Sequence, residues 1–201
     1  MKRRAPKPVR VAIGFLVLAG LAGIVYAMVA PREGYAPAQP IRFEHWRMAA
    51  KPNWSTEPDG RGGTREVNLG GYEIPCLYCH TMPYKGRHST VASTDICMNC
   101  HTVVGQDKEW VIALKKYWDE GRPIPWVKVH DLPDFVYYDH SAHLNPKKED
   151  GTPKLDCVDC HGDVATMSVV TVQNRFNMGW CLECHRKPEM AGPTDCVTCH
   201  R

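Results

Sequence analysis

Five copies of one cysteine–histidine spacing, a composition rich in turn residues and one uncharged stretch of twenty residues predict the fold class. It is a mostly irregular, small-α multihaem cytochrome c, with one N-terminal transmembrane helix plus an extracytoplasmic domain wrapped around five c-type haems. The copies are Cys76-Leu-Tyr-Cys79-His80, Cys97-Met-Asn-Cys100-His101, Cys157-Val-Asp-Cys160-His161, Cys181-Leu-Glu-Cys184-His185 and Cys196-Val-Thr-Cys199-His200, which use all ten cysteines. Chance placement gives on the order of 0.03 such runs in a chain of this content. On one helical turn, positions i, i+3 and i+4 share a face. Two thiols there form thioethers to the haem vinyls while the next imidazole, His80, His101, His161, His185 or His200, reaches the iron.

Three other uses of the cysteines compete. Disulfides give no reason for a histidine after every second cysteine. Zinc fits the spacing of Cys76, Cys79, Cys97 and Cys100, and that of Cys157, Cys160, Cys181 and Cys184, but it strands Cys196 and Cys199 and leaves five histidines unexplained. A thioredoxin-like dithiol needs one motif, not five.

Composition then bounds the architecture. The chain has 201 residues, 43% of them hydrophobic, with 16 Gly and 16 Pro, and much of the apolar material falls in the first 30 residues. The remainder is too short to bury five haems in a separate polypeptide core, so the haems are expected to be the core. Formal charge is +3; Lys2, Arg3, Arg4, Lys7 and Arg10 supply +5, which leaves −2 on residues 11–201. No nucleic-acid partner is expected.

Residues 1–10 read as a cytoplasmic basic N-terminus and residues 11–30 as a transmembrane helix, since twenty uncharged residues span about 30 Å. The basic cluster keeps the N-terminus inside by the positive-inside bias. A cleaved signal peptide ending at Val25-Tyr26-Ala27 is the competing reading, but the apolar stretch exceeds the usual h-region. Residues 31–42 form a tether and residues 43–106 a first module with two haem motifs. Within it, residues 49–72 carry five glycines and read as a surface loop. Residues 107–134 hold a helix and linker. The helix spans 107–120, places Trp110, Leu114, Tyr117 and Trp118 on one face, and is stopped by Gly121 and Pro123. Residues 135–201 form a second module with three motifs. A weak repeat relates the modules: Phe43-x-His45-x-x-Met48 opens the first and Tyr138-x-His140-x-x-His143 the second.

Five histidines remain for the distal faces: His45, His88, His130, His140 and His143. His140 and His143 can serve two neighbouring haems from one turn; His130 has the alternative of a hydrogen bond to a propionate or carbonyl. Methionine is the competing ligand, with Met48 and Met178 ahead of Met167 and Met190. No catalytic residue is assigned.

Several stretches carry a resemblance: Ile41-Arg-Phe-Glu-His45, Ile74-Pro-Cys-Leu-Tyr-Cys-His80, Arg87-His88, Trp126-Val-Lys-Val-His-Asp-Leu-Pro-Asp-Phe135 and Met178-Gly-Trp-Cys-Leu-Glu-Cys-His-Arg186. Over most of residues 8–201 the chain resembles the pentahaem cytochrome c subunit of alternative complex III, a quinol:electron acceptor oxidoreductase of bacterial respiration or photosynthesis. The resemblance implies an electron-transfer subunit rather than the catalytic centre. The partners it implies are an iron–sulfur, molybdopterin-enzyme-like subunit, polytopic quinol-binding membrane subunits, a monohaem cytochrome c and the lipid bilayer. It also implies location at the bacterial inner membrane with the haem domain periplasmic. In the family pattern a second histidine follows His45 by three residues, and Met48 departs from that.

Two other functions compete with the wire. A stand-alone NapC/NirT-type quinol dehydrogenase would share the anchor but oxidise quinol itself. A multihaem reductase of oxyanions needs a five-coordinate haem in an open pocket, and the matched supply of distal ligands argues against it.

Overall fold

The computed structural model describes residues 7–29 and 33–200. The basic residues Lys2, Arg3 and Arg4, and Ala30, Pro31 and Arg32 of the anchor and tether, lie outside the described residues. The chain divides into two compact units, Met1–Arg32 and Glu33–Arg201.

The first unit is helix α1, Lys7–Val29, 23 residues long. Its described side chains run unbroken from Val11 to Tyr26 and all are exposed. The expectation of a transmembrane helix over 11–30 is corrected to this extent: among the described residues, no helix is long and apolar enough to cross a membrane.

The second unit is a succession of short elements joined by turns. Helix α2 is His45–Ala49; strands β1 (Trp54–Pro58) and β2 (Thr64–Asn68) pair; helices α3 (Cys76–Cys79), α4 (Thr94–His101), α5 (Glu109–Asp119), α6 (His140–Leu144), α7 (Cys157–His161), α8 (Met178–His185) and α9 (Cys196–Cys199) follow. The loop expected over 49–72 contains an antiparallel hairpin, with Trp54 opposite Asn68 and Pro58 opposite Thr64. Its turn is closed by Asp59, whose Oδ1 accepts from Arg61 N at 2.7 Å and Gly63 N at 2.9 Å. The alternation that announces a strand is missing because both faces are largely exposed. Gly71 ties the hairpin down, since a Cβ there would run into the Lys51 carbonyl.

Helix α5 starts two residues later than expected, and its buried face is Val111 and Leu114, with Tyr117 half-buried and Trp118 39% exposed. It ends as the sequence requires. Gly121 takes φ +61°, its N–H bonds Trp118 O at 3.0 Å, and Arg122 N bonds Tyr117 O at 3.0 Å.

The ordinary core is small. Ile41, Met98, Leu114 and Ile124 form it, with Cys97, Ala113, Tyr117 and Trp126 packed against them. Among the described residues, Pro83, Val111, Leu144 and Val172 are the other buried apolar side chains. The chain exposes 15040 Å², whereas a compact protein of 22.7 kDa exposes about 9,500 Å². A cylinder the size of α1 accounts for at most about half of that excess.

Candidate haem-binding site

All five Cys-x-x-Cys-His runs fold as a helical turn, in α3, α4, α7, α8 and α9, as the spacing requires. The local sequence fixes three of them by N-caps. Asp156 and Asp159 form a capping box on α7, Asn177 Oδ1 accepts from Trp180 N at 2.9 Å on α8, and Asp195 Oδ1 accepts from Thr198 N at 3.0 Å on α9. Asp139 does the same for α6, the helix of the two spare histidines, through Ser141 N at 2.8 Å.

All ten cysteines are free thiols; Cys76, Cys100 and Cys196 are exposed and the others half-buried. Burial pushes the thiols of Cys79, Cys97 and Cys181 up, and those of Cys157 and Cys160 up to about 11. They are therefore protonated near neutrality. Among the described residues, no three or more of His, Cys, Asp and Glu converge on a common metal position, so the zinc alternative finds no site.

Histidine geometry fits axial ligation. Five rings hold Nδ1 against a backbone carbonyl: His80 on Thr90 O at 2.6 Å, His101 on Val104 O at 3.0 Å, His140 on Arg87 O at 2.7 Å, His143 on Asp139 O at 2.8 Å and His185 on Pro193 O at 2.6 Å. A carbonyl only accepts, so Nδ1 carries the proton and Nε2 keeps its lone pair, the tautomer a metal requires. Burial, then the neighbouring His80, pushes His45 down to about 4; burial, then His130, His140 and His80, does the same to His161. His130 is lowered by burial and by His140. These imidazoles are neutral at pH 7. His45 Nδ1 and His130 Nε2 are buried without a hydrogen-bond partner, which is costly unless another group meets them.

Ring separations decide who can share an iron. Two imidazoles on opposite faces of one metal, each nitrogen about 2 Å away and about 1.1 Å from its own ring centre, have centres roughly 6.2 Å apart. His140 and His161 lie 6.3 Å apart with planes 11° from parallel, and His143 and His185 lie 6.0 Å apart at 28°. His130 stands edge-on to His161 at 4.4 Å, too close to share its iron. Tyr138 fixes α6 between them, stacked on His143 at 4.7 Å and edge-on to His140 at 4.9 Å. Phe43 stands edge-on to His45 at 4.9 Å, which gives the aromatic-x-His repeat its physical meaning.

The remaining residues fall as follows. His88 is exposed, and its neighbour Arg87 donates to Val136 O and Tyr138 O at 3.1 Å each. Val136 bridges His200, and Tyr137 N bonds Cys199 O at 2.8 Å, so the 87–88 turn lies near the last motif. His200 is exposed and stacked by Phe135 at 5.9 Å. Met48 is half-buried and shares a small cleft with Trp110, which stands edge-on to His101 at 5.1 Å. Met178 is 65% exposed.

The motifs are also ordered in space. Cysteines of neighbouring motifs lie near one another: Cys79 with Cys97, Cys76 with Cys157, Cys160 with both Cys181 and Cys184, and Cys181 with Cys199. Asn99 also donates to the Tyr78 hydroxyl at 3.1 Å between the first two motifs. The row runs second, first, third, fourth, fifth. The sequence gives no sign of the carbonyls that hold the imidazoles. Their only trace is turn residues such as Gly192-Pro193.

Residues 136–201, which span α6 to α9, match the family of cytochrome c7 and related cytochrome c. No curated protein matches the chain. Residues 136–201 are thus a cytochrome c7-like multihaem domain, which implies covalently bound haem c and electron transfer.

Proposed function

We propose that the chain is a membrane-anchored pentahaem cytochrome c that relays electrons from quinol oxidation, as a subunit of an alternative complex III, to a downstream acceptor. The observation that carries the wire is the pair of histidine separations across α6, 6.3 and 6.0 Å, each set by one turn of helix between two consecutive motifs. Bound haem c would supply the one-electron iron couple at each motif.

The chain's own residues do the rest. The ten cysteines tether, and the five proximal histidines ligate. His140 pairs with His161 and His143 with His185, and His45 faces His80. His88, on a turn near the last motif, is the candidate partner of His200. His101 has Met48 as the side chain brought towards it, and its thioether would raise that potential. That gives all five irons a distal ligand and leaves His130, whose Nε2 is buried without a protein partner, for its alternative of a hydrogen bond to a haem propionate. With both axial faces filled, no open iron is left for substrate, so the chain is an electron carrier rather than a catalytic centre.

Support for the anchor comes from the sequence alone, which carries no charge from Val11 to Ala30. The expected place is the bacterial inner membrane with the haem domain periplasmic. The iron–sulfur, quinol-binding and monohaem partners follow from the family resemblance.

Purification of the chain from membranes tests all of this. Pyridine haemochrome should count five haems, alkaline carbonate should leave the chain in the membrane, and the isolated chain should be inert towards quinol. Quinol oxidation by the isolated chain would favour the NapC/NirT-type dehydrogenase instead. Fewer than five haems would end the pentahaem reading.

A further inference from the structure

The segment after His185 loops out and returns to the same ring. Gly192 N bonds His185 O at 3.1 Å, and Pro193 O accepts from His185 Nδ1 at 2.6 Å. The strap turns at Ala191, which takes φ +41°, an unusual conformation for a residue with a side chain. At Gly192 no such φ is needed, yet a Cβ would lie 2.6 Å from His185 Cγ, 2.8 Å from Cδ2 and 3.0 Å from Nδ1. It is the imidazole, not the backbone, that demands glycine. His80 is held alike, by the carbonyl of Thr90 at 2.6 Å with Thr90 at φ +63°. His101, by contrast, uses a carbonyl only three residues on, at 3.0 Å.

We infer that Gly192 is a positioning residue for the axial imidazole of His185, and that the strap it closes lowers the reduction potential at that position. The inference rests on the proposed ligation by His185. An Nδ1–H held on a carbonyl makes the imidazole more basic, and a more basic axial ligand stabilises ferric over ferrous iron. A methyl group at residue 192 displaces the ring from the Pro193 carbonyl and weakens that hydrogen bond.

The test uses the full-length, haem-loaded chain. In Gly192→Ala, stepwise potentiometric titration should show one of the five potentials raised by about tenfold in its one-electron equilibrium, close to 59 mV, with haem content and the other four unmoved. Ala191→Gly, which relaxes the turn and leaves the ring its space, should keep all five potentials. If Gly192→Ala fails to take up five haems, Ala191→Val decides by the same criterion, because a β-branched residue at that φ opens the strap without touching the ring. Unmoved potentials in a variant with full haem content, or a shift of all five together, overturn the inference. A wild-type chain with no haem at His185 would instead overturn the ligation itself.

Discussion

An imidazole that binds iron must present one nitrogen and have the other occupied, and five histidines meet that condition through backbone carbonyls rather than side chains. A carbonyl has no proton to give, so it fixes the proton of the neutral ring on Nδ1. Each distal assignment can be tested singly. His143→Ala should leave haem content intact, since the thioethers hold the ring, but open one face of the iron at His185. The reduced protein should then bind carbon monoxide at one site, with a high-spin ferric signal that the wild type lacks. A variant with no such signal would dissolve the pairing of His143 with His185. Met48→His asks the reverse question at His101: the imidazole–thioether near-infrared band should vanish and the highest potential should fall. A wild type without that band gives His101 a different partner.

At the scale of elements, the motif helices are short and stabilised mainly at their ends. Asp156→Ala removes the capping box of α7 and should cost about 1 kcal/mol, read as a lower Tm with unchanged haem content. Helix α2 depends on a different device. Glu44 is buried at 9% exposure and receives Arg47 Nε and, at 2.6 Å, Arg42 Nη2. Burial raises its carboxyl, but the hydrogen bonds and charges of the two arginines outweigh that and hold it below its ordinary value of 4.5. A depressed carboxyl stabilises the fold above its ordinary range and loses that contribution as pH falls through the folded value. Glu44→Gln should therefore flatten the acid side of the stability profile below about pH 4.5 while changing its shape little near neutrality; an unchanged acid limb would remove Glu44 from the account. What the sequence made legible at this scale is what local chemistry controls: the turn in each Cys-x-x-Cys-His run, the Gly121 stop of α5, the aromatic-x-His repeat. The hairpin over 54–68 was hidden because neither of its faces is consistently buried. Val111 was hidden because the aromatic stripe beside it dominates the helical pattern. The closeness of His130 to His161, and the Thr90 and Pro193 carbonyls, arise from chain returns that no spacing encodes.

For the molecule as a whole, order is unequally shared. The region around α4 and α5 has a polypeptide core of its own in Ile41, Met98, Leu114 and Ile124, whereas residues 136–201 contribute two buried aliphatic side chains outside any such cluster, Leu144 and Val172. Conformational entropy of about 1–2 kcal/mol per ordered residue opposes both regions, and the first has a clustered apolar core to set against it. The three later motifs must therefore draw their order from what their cysteines and histidines hold. Replacing Cys181 and Cys184 by serine together removes the tether pair next to the end of the row, between the third and fifth motifs. Amide hydrogen exchange should then accelerate across α6, α8 and the 186–195 strap, while α5 amides stay protected. Equal loss in both regions would mean that α4–α5 has no independent stability, and retained protection in α6 and α8 would mean that the polypeptide alone orders the last module.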